Sequence, residues 1–249
     1  MIVRTNRELK EKYDDLKAGD CFVGSLSLKH IKHNVFVDLM ERGVRFFPSA
    51  LSQILAGSKT AQAMTFRPWM VPHTRVVTRM ADLLAVSNLY AKNGIEAVVT
   101  KEDRMHCGLG IHRWDHVEAV YNHALHRPEW FPFVLQPFVA EYTDVRVVTA
   151  GGYWEAYTRE NKDNFRKNLS AGGIRGPYRL TEGQSAFCNT VMERGKFPYA
   201  HIDLLITPKG TTYLSEIALN GGLKGAQIDR KDLDTLKKKV LEDAVDDQE

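Results

Sequence analysis

Two stretches of the sequence each alternate polar and apolar residues around a short turn, a pattern typical of antiparallel hairpins. They are DVRVVTAGGYWEAYTRE (Asp144–Glu160) and HIDLLITPKGTTYLSEIALN (His201–Asn220). Between them lies the polar segment FRKNLSAGG (Phe165–Gly173). The last part of the chain is therefore predicted to hold two antiparallel hairpins that place acids and bases on one face.

The register of the first hairpin follows from its turn. A Gly-Gly pair favours a two-residue turn at 151–152. The facing pairs are then Asp144 with Arg159, Arg146 with Tyr157, and Val148 with Glu155. The opposite face should pack on the core and carries Val145, Val147, Thr149, Trp154, Ala156 and Thr158. The alternative is that the charged face is simply solvated.

The second hairpin brings two acids together. A four-residue loop at Pro208–Thr211 places Asp203 directly across from Glu216. Carboxylates so placed have Cβ atoms about 5 Å apart and destabilise a sheet, so a positive charge should lie between them. A magnesium ion whose remaining ligands are phosphate oxygens would supply that positive charge. Two alternatives stay open: a lysine or arginine bridges the pair, or a three-residue loop puts the acids on opposite faces.

Composition bounds the class of protein. The 249 residues are 43% hydrophobic and 26% charged, which is typical of a globular protein with one or two domains. A net charge of +3, scattered along the chain, argues against nucleic acid as a partner. No apolar run approaches the roughly 20 residues of a membrane span, so no membrane association is expected. An N-terminus without an apolar segment and three scattered cysteines predict a cytoplasmic protein.

Helical and strand patterns alternate along the chain, which predicts an α/β or α+β fold. Near the N-terminus, a strand at Cys21–Leu28, a helix at Ile31–Arg42 and a strand at Val44–Phe47 form a small βαβ-like unit.

Basic residues suited to phosphate come from several segments. Glycines let backbone amides approach a phosphate, lysine supplies a point charge, and arginine supplies a fork. Each residue alone would be an ordinary surface group. The set is Lys59 after a Gly-Ser pair, Lys101 before a loop with Gly108 and Gly110, and Arg146, Arg159 and Arg166.

Eight motifs occur in a fixed order. They are SK at Ser58, VVTK ending at Lys101, the loop with Gly108 and Gly110, LQPFV at Leu135, DVRVV at Asp144, FRKNLSAGG at Phe165, HIDLL at His201 and SEIALNGGLKG at Ser215. Over roughly Phe46 to Gln227, this series resembles the ATP-grasp superfamily, and within it the RimK-type glutamate ligases.

The resemblance implies a fold and a division of the chain. The fold is α/β (α+β), with two α+β subdomains that clamp ATP after a shortened N-terminal βαβ-like unit. The expected divisions are an N-terminal unit at 1–57, a small subdomain at 58–134, and a large subdomain with a charged tail at 135–249.

The resemblance also implies the site. The residues expected to bind ATP are Lys59, Lys101, Gly108, Gly110, Gln136, Phe138, Val139, Asp144 and Arg146. Of these, Gln136, Phe138 and Val139 are expected to read the adenine edge through their backbone. The residues expected to face the γ-phosphate and the acyl phosphate are Arg159, Arg166 and Asn168. The expected metal ligands are Asp203, Glu216 and Asn220. The family usually has Glu-x-Asn on this strand, whereas here Ala218 takes the place of the asparagine and Asn220 follows.

The implied activity is a carboxylate-amine ligase that uses ATP and Mg²⁺, or Mn²⁺ in its place, and forms an amide or peptide bond through an acyl phosphate. Its partners would be small-molecule or peptide carboxylates and amines, and homo-oligomers are left open. Two other functions remain: an ATP-binding accessory module without ligase activity, which Ala218 and the short N-terminal unit favour, and a phosphotransferase on the same fold.

Overall fold

Three β-sheets organise the chain in this computed structural model, which describes residues 1–28, 30–105, 109–161, 167 and 173–246. Within those ranges, no helix combines the length and apolar character needed to cross a membrane.

The first sheet is parallel and lies at the N-terminus. Its strands, in spatial order, are β1 (Ile2–Val3), β2 (Cys21–Val23) and β3 (Arg45–Phe47), connected through α1 (Asn6–Glu11) and α2 (Lys32–Glu41). The predicted βαβ-like unit is present and is extended by β1 and α1. Strand β2 is shorter than predicted because the chain turns at Gly24, whose φ is +133°.

Two short helices follow, α3 (Ala50–Leu55) and α4 (Lys59–Thr65), and both begin at a serine. Ser49 Oγ accepts a hydrogen bond from Ser52 N, and Ser58 Oγ accepts one from Ala61 N, each at 3.0 Å. Such caps satisfy backbone donors that the first turn leaves unpaired. The start of α4, and with it Lys59, is thereby fixed.

The second sheet is antiparallel. Its strands are β4 (Arg75–Val77), β5 (Val98–Glu102), β6 (Ile111–Trp114) and β7 (Phe133–Pro137), in the spatial order β4-β7-β5-β6. Helices α5 (Met80–Lys92) and α6 (Val117–Leu125) share its core, where Leu83, Tyr90 and Val120 pack with Phe133 and Leu135.

The third sheet is antiparallel and has the largest core. Its strands are β8 (Thr143–Ala150), β9 (Tyr153–Glu160), β10 (Ile174–Pro177), β11 (Tyr199–Ile206) and β12 (Thr212–Ala218), in the spatial order β10-β9-β8-β11-β12. Helix α7 (Glu182–Gly195) connects β10 to β11, and α8 (Arg230–Asp246) follows β12. Val145 and Val147 of β8 share one apolar core with Cys188 and Val191 of α7.

The register of the first hairpin is confirmed, with Asp144 opposite Arg159. On the face predicted to be apolar, Val145 and Val147 are fully buried, but Trp154, beside the turn, is 39% exposed. The charged face is not simply solvated, because residues 219–229 lie over it. Gln227 N donates to both carboxylate oxygens of Glu155 at 2.7 and 2.9 Å, which holds this segment against β9.

The second hairpin contains both a three-residue loop and the predicted acid pair. Thr207 N donates to Thr211 O at 2.9 Å, so the four-residue loop was wrong; Gly210, with φ +81°, provides the left-handed position that the tighter turn requires. A β-bulge then leaves Ser215 without a partner across the sheet. Because the bulge restores the register, Asp203 lies opposite Glu216 as predicted.

A side chain of α4 forms hydrogen bonds with the backbone at the outer edge of β12. Gln62 Oε1 accepts from Ile217 N at 3.0 Å, and Gln62 Nε2 donates to Ile217 O at 2.9 Å and to Leu55 O at 2.8 Å. Because Gln62 is buried, these bonds tie α4 to the strand that carries Glu216.

Candidate functional site

Asp203 on β11 is surrounded by arginines. Arg146, which faces it across the sheet from β8, donates from Nε to Oδ1 and from Nη2 to Oδ2, both at 2.7 Å. Arg159 on β9 adds a contact from Nη2 to Asp203 Oδ2 at 3.0 Å and binds Asp144 Oδ1 at 2.6 Å. We call Asp144, Arg146, Arg159 and Asp203 the four-residue ion-pair network.

The network is largely buried, and this shapes its proton affinities. Burial by itself raises the pKa of Asp203, but Arg146 and Arg159 hold that pKa well below its usual range. Burial raises the pKa of Asp144, with the negative charge of Asp203 adding to the effect and Arg159 opposing it. The cations that contact Asp203 are Arg146 and Arg159, whereas the predicted alternative had one lysine or arginine bridging Asp203 and Glu216.

A lysine lies beside the other acid of the pair. Lys101 on β5 is buried and donates from Nζ to Ser215 O at 3.3 Å. Burial lowers the pKa of Lys101 to about 8, while the nearby carboxylate of Glu216 opposes that shift. The charges of Lys59, Asp144 and Asp203 also act on Lys101, so the structure brings these predicted site residues together.

Lys59 is held beside Lys101 by an aspartate that the sequence analysis missed. Asp103 Oδ1 accepts from Ser58 Oγ at 2.9 Å and from Thr60 N at 3.0 Å, on either side of Lys59. The ammonium of Lys59 donates to the carbonyl of Met105. Nothing in the sequence marked Asp103, because its partners are more than 40 residues earlier in the chain.

Gly110 of the predicted lid and the predicted adenine segment lie at the second sheet. A Cβ on Gly110 would lie 2.7 Å from Met105 Cβ and 2.8 Å from Glu102 Cβ, so only glycine fits there. Gln136 is buried on β7, and Phe138 N donates to Ala97 O at 2.9 Å. Val139 follows and is half-buried.

Asn220 faces a lysine. Its Oδ1 accepts from Lys237 Nζ of α8 at 2.9 Å, and the same ammonium donates to Leu219 O at 2.8 Å. A metal role for Asn220, which remains a prediction, would require Lys237 to release this oxygen. Lys237 could have been noticed in the sequence, since it interrupts the apolar stripe of Leu233, Leu236 and Val240.

A buried histidine shares the strand face of Asp203, two residues before it. Neither ring nitrogen of His201 has a hydrogen-bond partner in the part of the chain that the structure describes. Burial, with Lys237 and Arg146 adding to it, lowers the pKa of His201 to about 3, so the ring is neutral. A Cβ on Gly221 would lie 2.8 Å from His201 Nδ1, which explains a glycine at that position.

The side-chain oxygens at this site can hold magnesium only together with further ligands. No group of three or more His, Cys, Asp or Glu side chains in the described ranges is placed to hold a metal ion. Asp203 and Glu216 offer two facing carboxylates, and Mg²⁺ is commonly held by one or two carboxylates together with substrate phosphates and water. Gly108, Arg166 and Asn168 lie outside the described residues, so their roles remain predictions.

Comparisons with known proteins agree with this architecture. A family model described as a RimK-like ATP-grasp domain matches residues 79–242. No curated protein matches the chain. Among solved structures, D-alanine–D-alanine ligase from Bacillus anthracis complexed with ATP is 16% identical, with a TM-score of 0.65 over 98% of this chain and 86% of the other.

Two further structures have the same fold. D-cycloserine synthetase is 13% identical, with a TM-score of 0.62 over 92% of this chain and 84% of the other. A RimK domain ATP-grasp protein from Sphaerobacter thermophilus is 16% identical, with a TM-score of 0.57 over 91% and 80%. The chain therefore belongs to the RimK-like ATP-grasp family, a family of ATP-dependent carbon-nitrogen ligases.

Proposed function

We propose that this protein is an ATP- and magnesium-dependent carboxylate-amine ligase that forms an amide or peptide bond through an acyl phosphate. The observation that carries the proposal is the convergence of Lys59, Lys101, Asp144, Asp203 and Glu216 on one charged face. Phosphoryl transfer is catalysed mainly by positioning and charge neutralisation, which is what such a set provides.

The proposed nucleotide contacts follow the two sheets that meet at Lys101. Lys59 and Lys101 bind the phosphates, and the 108–110 loop covers them. The backbone of Gln136, Phe138 and Val139 reads the adenine edge. The proposed subdomains are 58–134 and 135–249, preceded by the unit at 1–57.

The acids and arginines of β8, β9, β11 and β12 act at the ribose, the metal and the phosphates. Asp144 lies near the ribose, and Asp203 and Glu216 hold Mg²⁺ or Mn²⁺, with Asn220 as a further predicted ligand. The metal, when bound, neutralises phosphate charge. Arg146 and Arg159, joined in our proposal by Arg166 and Asn168, orient the γ-phosphate and the acyl phosphate.

The bond changes are those of two successive displacements. The acceptor carboxylate attacks the γ-phosphorus, and the bond to ADP breaks. The amine then attacks the acyl carbon, the carbon-oxygen bond to phosphate breaks, and the amine nitrogen loses a proton. We infer that both substrates are small molecules or peptides and that the reaction takes place in the cytoplasm.

The test is phosphate release from ATP while carboxylates and amines are supplied in pairs. A ligase releases phosphate faster when both members of a pair are present. Replacement Glu216→Gln should abolish magnesium-dependent nucleotide binding or turnover, whereas Glu193→Gln, at an exposed position of α7, should change neither. Unchanged activity in Glu216→Gln would refute the metal assignment.

One observation supports a second candidate function. Ala218 pairs with His201 at the end of β12, where the resemblance leads us to expect an asparagine ligand. A loss of that ligand suits an ATP-binding accessory module without ligase activity. Tight ATP binding with no amine-dependent turnover for any pair would favour this module over the ligase.

A further inference from the structure

Asp203, a predicted metal ligand, has both of its carboxylate oxygens bonded to arginine. The contact with Arg146 is bidentate at 2.7 Å, and Arg159 adds a third donor at 3.0 Å. The exposed fractions of these side chains are 13% for Asp203, 19% for Arg146 and 7% for Arg159. Such bidentate, charge-assisted bonds in a buried setting are strong and directional.

The charges on this face already balance without a ligand. Four acids, Asp103, Asp144, Asp203 and Glu216, balance four bases, Lys59, Lys101, Arg146 and Arg159. A divalent cation added alone would place two uncompensated positive charges among buried guanidinium groups. Repulsion in such a setting is much stronger than in water. A nucleotide alone would draw the arginines to its phosphates and leave Asp203 buried without a partner.

Metal and nucleotide together avoid both penalties. Asp203 would then hold the metal in place of the arginines, and the arginines would bind the phosphates in place of Asp203. Arg146 is the residue best placed for this exchange, because β8 and β11 pair Arg146 directly with Asp203. Its remaining nitrogen, Nη1, donates to Gly222 O at 3.3 Å and not to another acid.

We propose that Arg146 is a positioning residue that occupies Asp203 until nucleotide phosphates arrive, so that metal and nucleotide bind as an obligatory pair. This inference rests on the proposed function, because it requires the nucleotide to bind at this face. Linkage is reciprocal, so the metal must change the affinity for the nucleotide by the same factor as the nucleotide changes the affinity for the metal.

The first test measures Mn²⁺ binding without nucleotide, by the electron paramagnetic resonance signal of free Mn²⁺. Wild type should bind Mn²⁺ weakly, and Arg146→Met, which removes the charge but keeps a long side chain, should bind it on the order of 10-fold more tightly. Arg79→Met is the matched control, since Arg79 is exposed and forms a surface ion pair with Asp82, and it should behave as wild type.

The second test measures the affinity for a non-hydrolysable ATP analogue, by calorimetry, with excess EDTA and with saturating Mn²⁺. Wild type should bind the analogue on the order of 10- to 100-fold more tightly with the metal. In Arg146→Met this ratio should fall towards one. The wild-type ratio needs no variant, so it tests the proposal even where Arg146→Met does not fold.

The outcomes separate this inference from the proposed function. Tight Mn²⁺ binding by wild type without nucleotide, or an affinity ratio that Arg146→Met leaves unchanged, overturns the inference alone. A failure of wild type to bind the analogue under either condition overturns the proposed function and the inference with it.

Discussion

Replacing Lys101 with methionine should stabilise the protein while it weakens nucleotide binding. The ammonium of Lys101 is buried, and burial lowers its pKa from 10.5 to about 8. That difference corresponds to about 3 kcal/mol in favour of the neutral amine, with the attraction of Glu216 already included. Loss of the 3.3 Å bond to Ser215 O reduces the expected gain in free energy of unfolding to about 2 kcal/mol at pH 7.

The sign of the pH dependence follows from the two pKa values. Below pH 8, Lys101 is charged in the folded and the unfolded protein, so the cost of burial is fully present. Between pH 8 and 10.5 only the unfolded protein holds the proton, so wild-type stability rises with pH. The advantage of Lys101→Met should therefore be largest below pH 8 and decline towards pH 10.5.

Urea unfolding of both proteins at intervals from pH 7 to 10.5 provides the measurement. Lys92→Met, at an exposed position of α5, is the matched control and should change stability by less than about 0.5 kcal/mol. A Lys101→Met protein less stable than wild type at pH 7, or one that keeps the wild-type rise above pH 8, would show that burial of the Lys101 ammonium does not cost stability.

The same residue predicts how nucleotide affinity depends on pH. A charged lysine contact to phosphate contributes about 1.5–3 kcal/mol, so Lys101→Met should weaken Mg-ADP binding roughly 10- to 100-fold at pH 7. Wild-type affinity should fall as pH rises above about 8, where Lys101 of the free protein loses its proton. Calorimetric titrations across this range would contradict the assignment if wild type and Lys101→Met showed equal slopes.

Three further predictions concern the scaffold of the site. Gln62→Leu leaves buried backbone groups of β12 without partners, so the free energy of unfolding in urea should fall by about 2–4 kcal/mol; an unchanged midpoint would contradict this. Asp103→Ala removes the anchor of the first turn of α4, so calorimetry should show Mg-ADP affinity reduced several-fold with little change in fold; equal affinity would count against the anchor. Gly221→Ala should cost about 1–3 kcal/mol in thermal or urea unfolding because its Cβ meets His201, while Gly222→Ala, with nothing within 4 Å, is the control; equal effects of the two would refute the contact.

Local rules were enough to predict the register of the first hairpin. The Gly-Gly turn fixed the first hairpin, and strand alternation placed Asp144 and Arg159 on one face. For the second hairpin, the predicted loop was one residue too long. The predicted pair of Asp203 and Glu216 is still correct, because the bulge at Ser215 shifts the register by one residue. Bulges follow from packing between strands and have no reliable signature in a single sequence.

Contacts between distant segments could not be predicted in this way. The bond from Asp103 to the start of α4 and the closure of β12 by Gln62 depend on how the sheets pack together. Burial of the charged face depends on residues 219–229, whose path over β9 has no periodic pattern. The exposure of Trp154 was missed because alternation assigns a face to a residue but does not say how far the core extends.

We propose that a carboxylate oxygen attacks the γ-phosphate of ATP on the face that carries Asp203 and Glu216. The most direct measurement supplies carboxylates labelled with ¹⁸O, each with an amine, and analyses the released phosphate by mass spectrometry. Ligation through an acyl phosphate predicts one ¹⁸O atom in each phosphate released and an equal amount of amide. Unlabelled phosphate, or no phosphate with any pair despite tight ATP binding, would contradict the account.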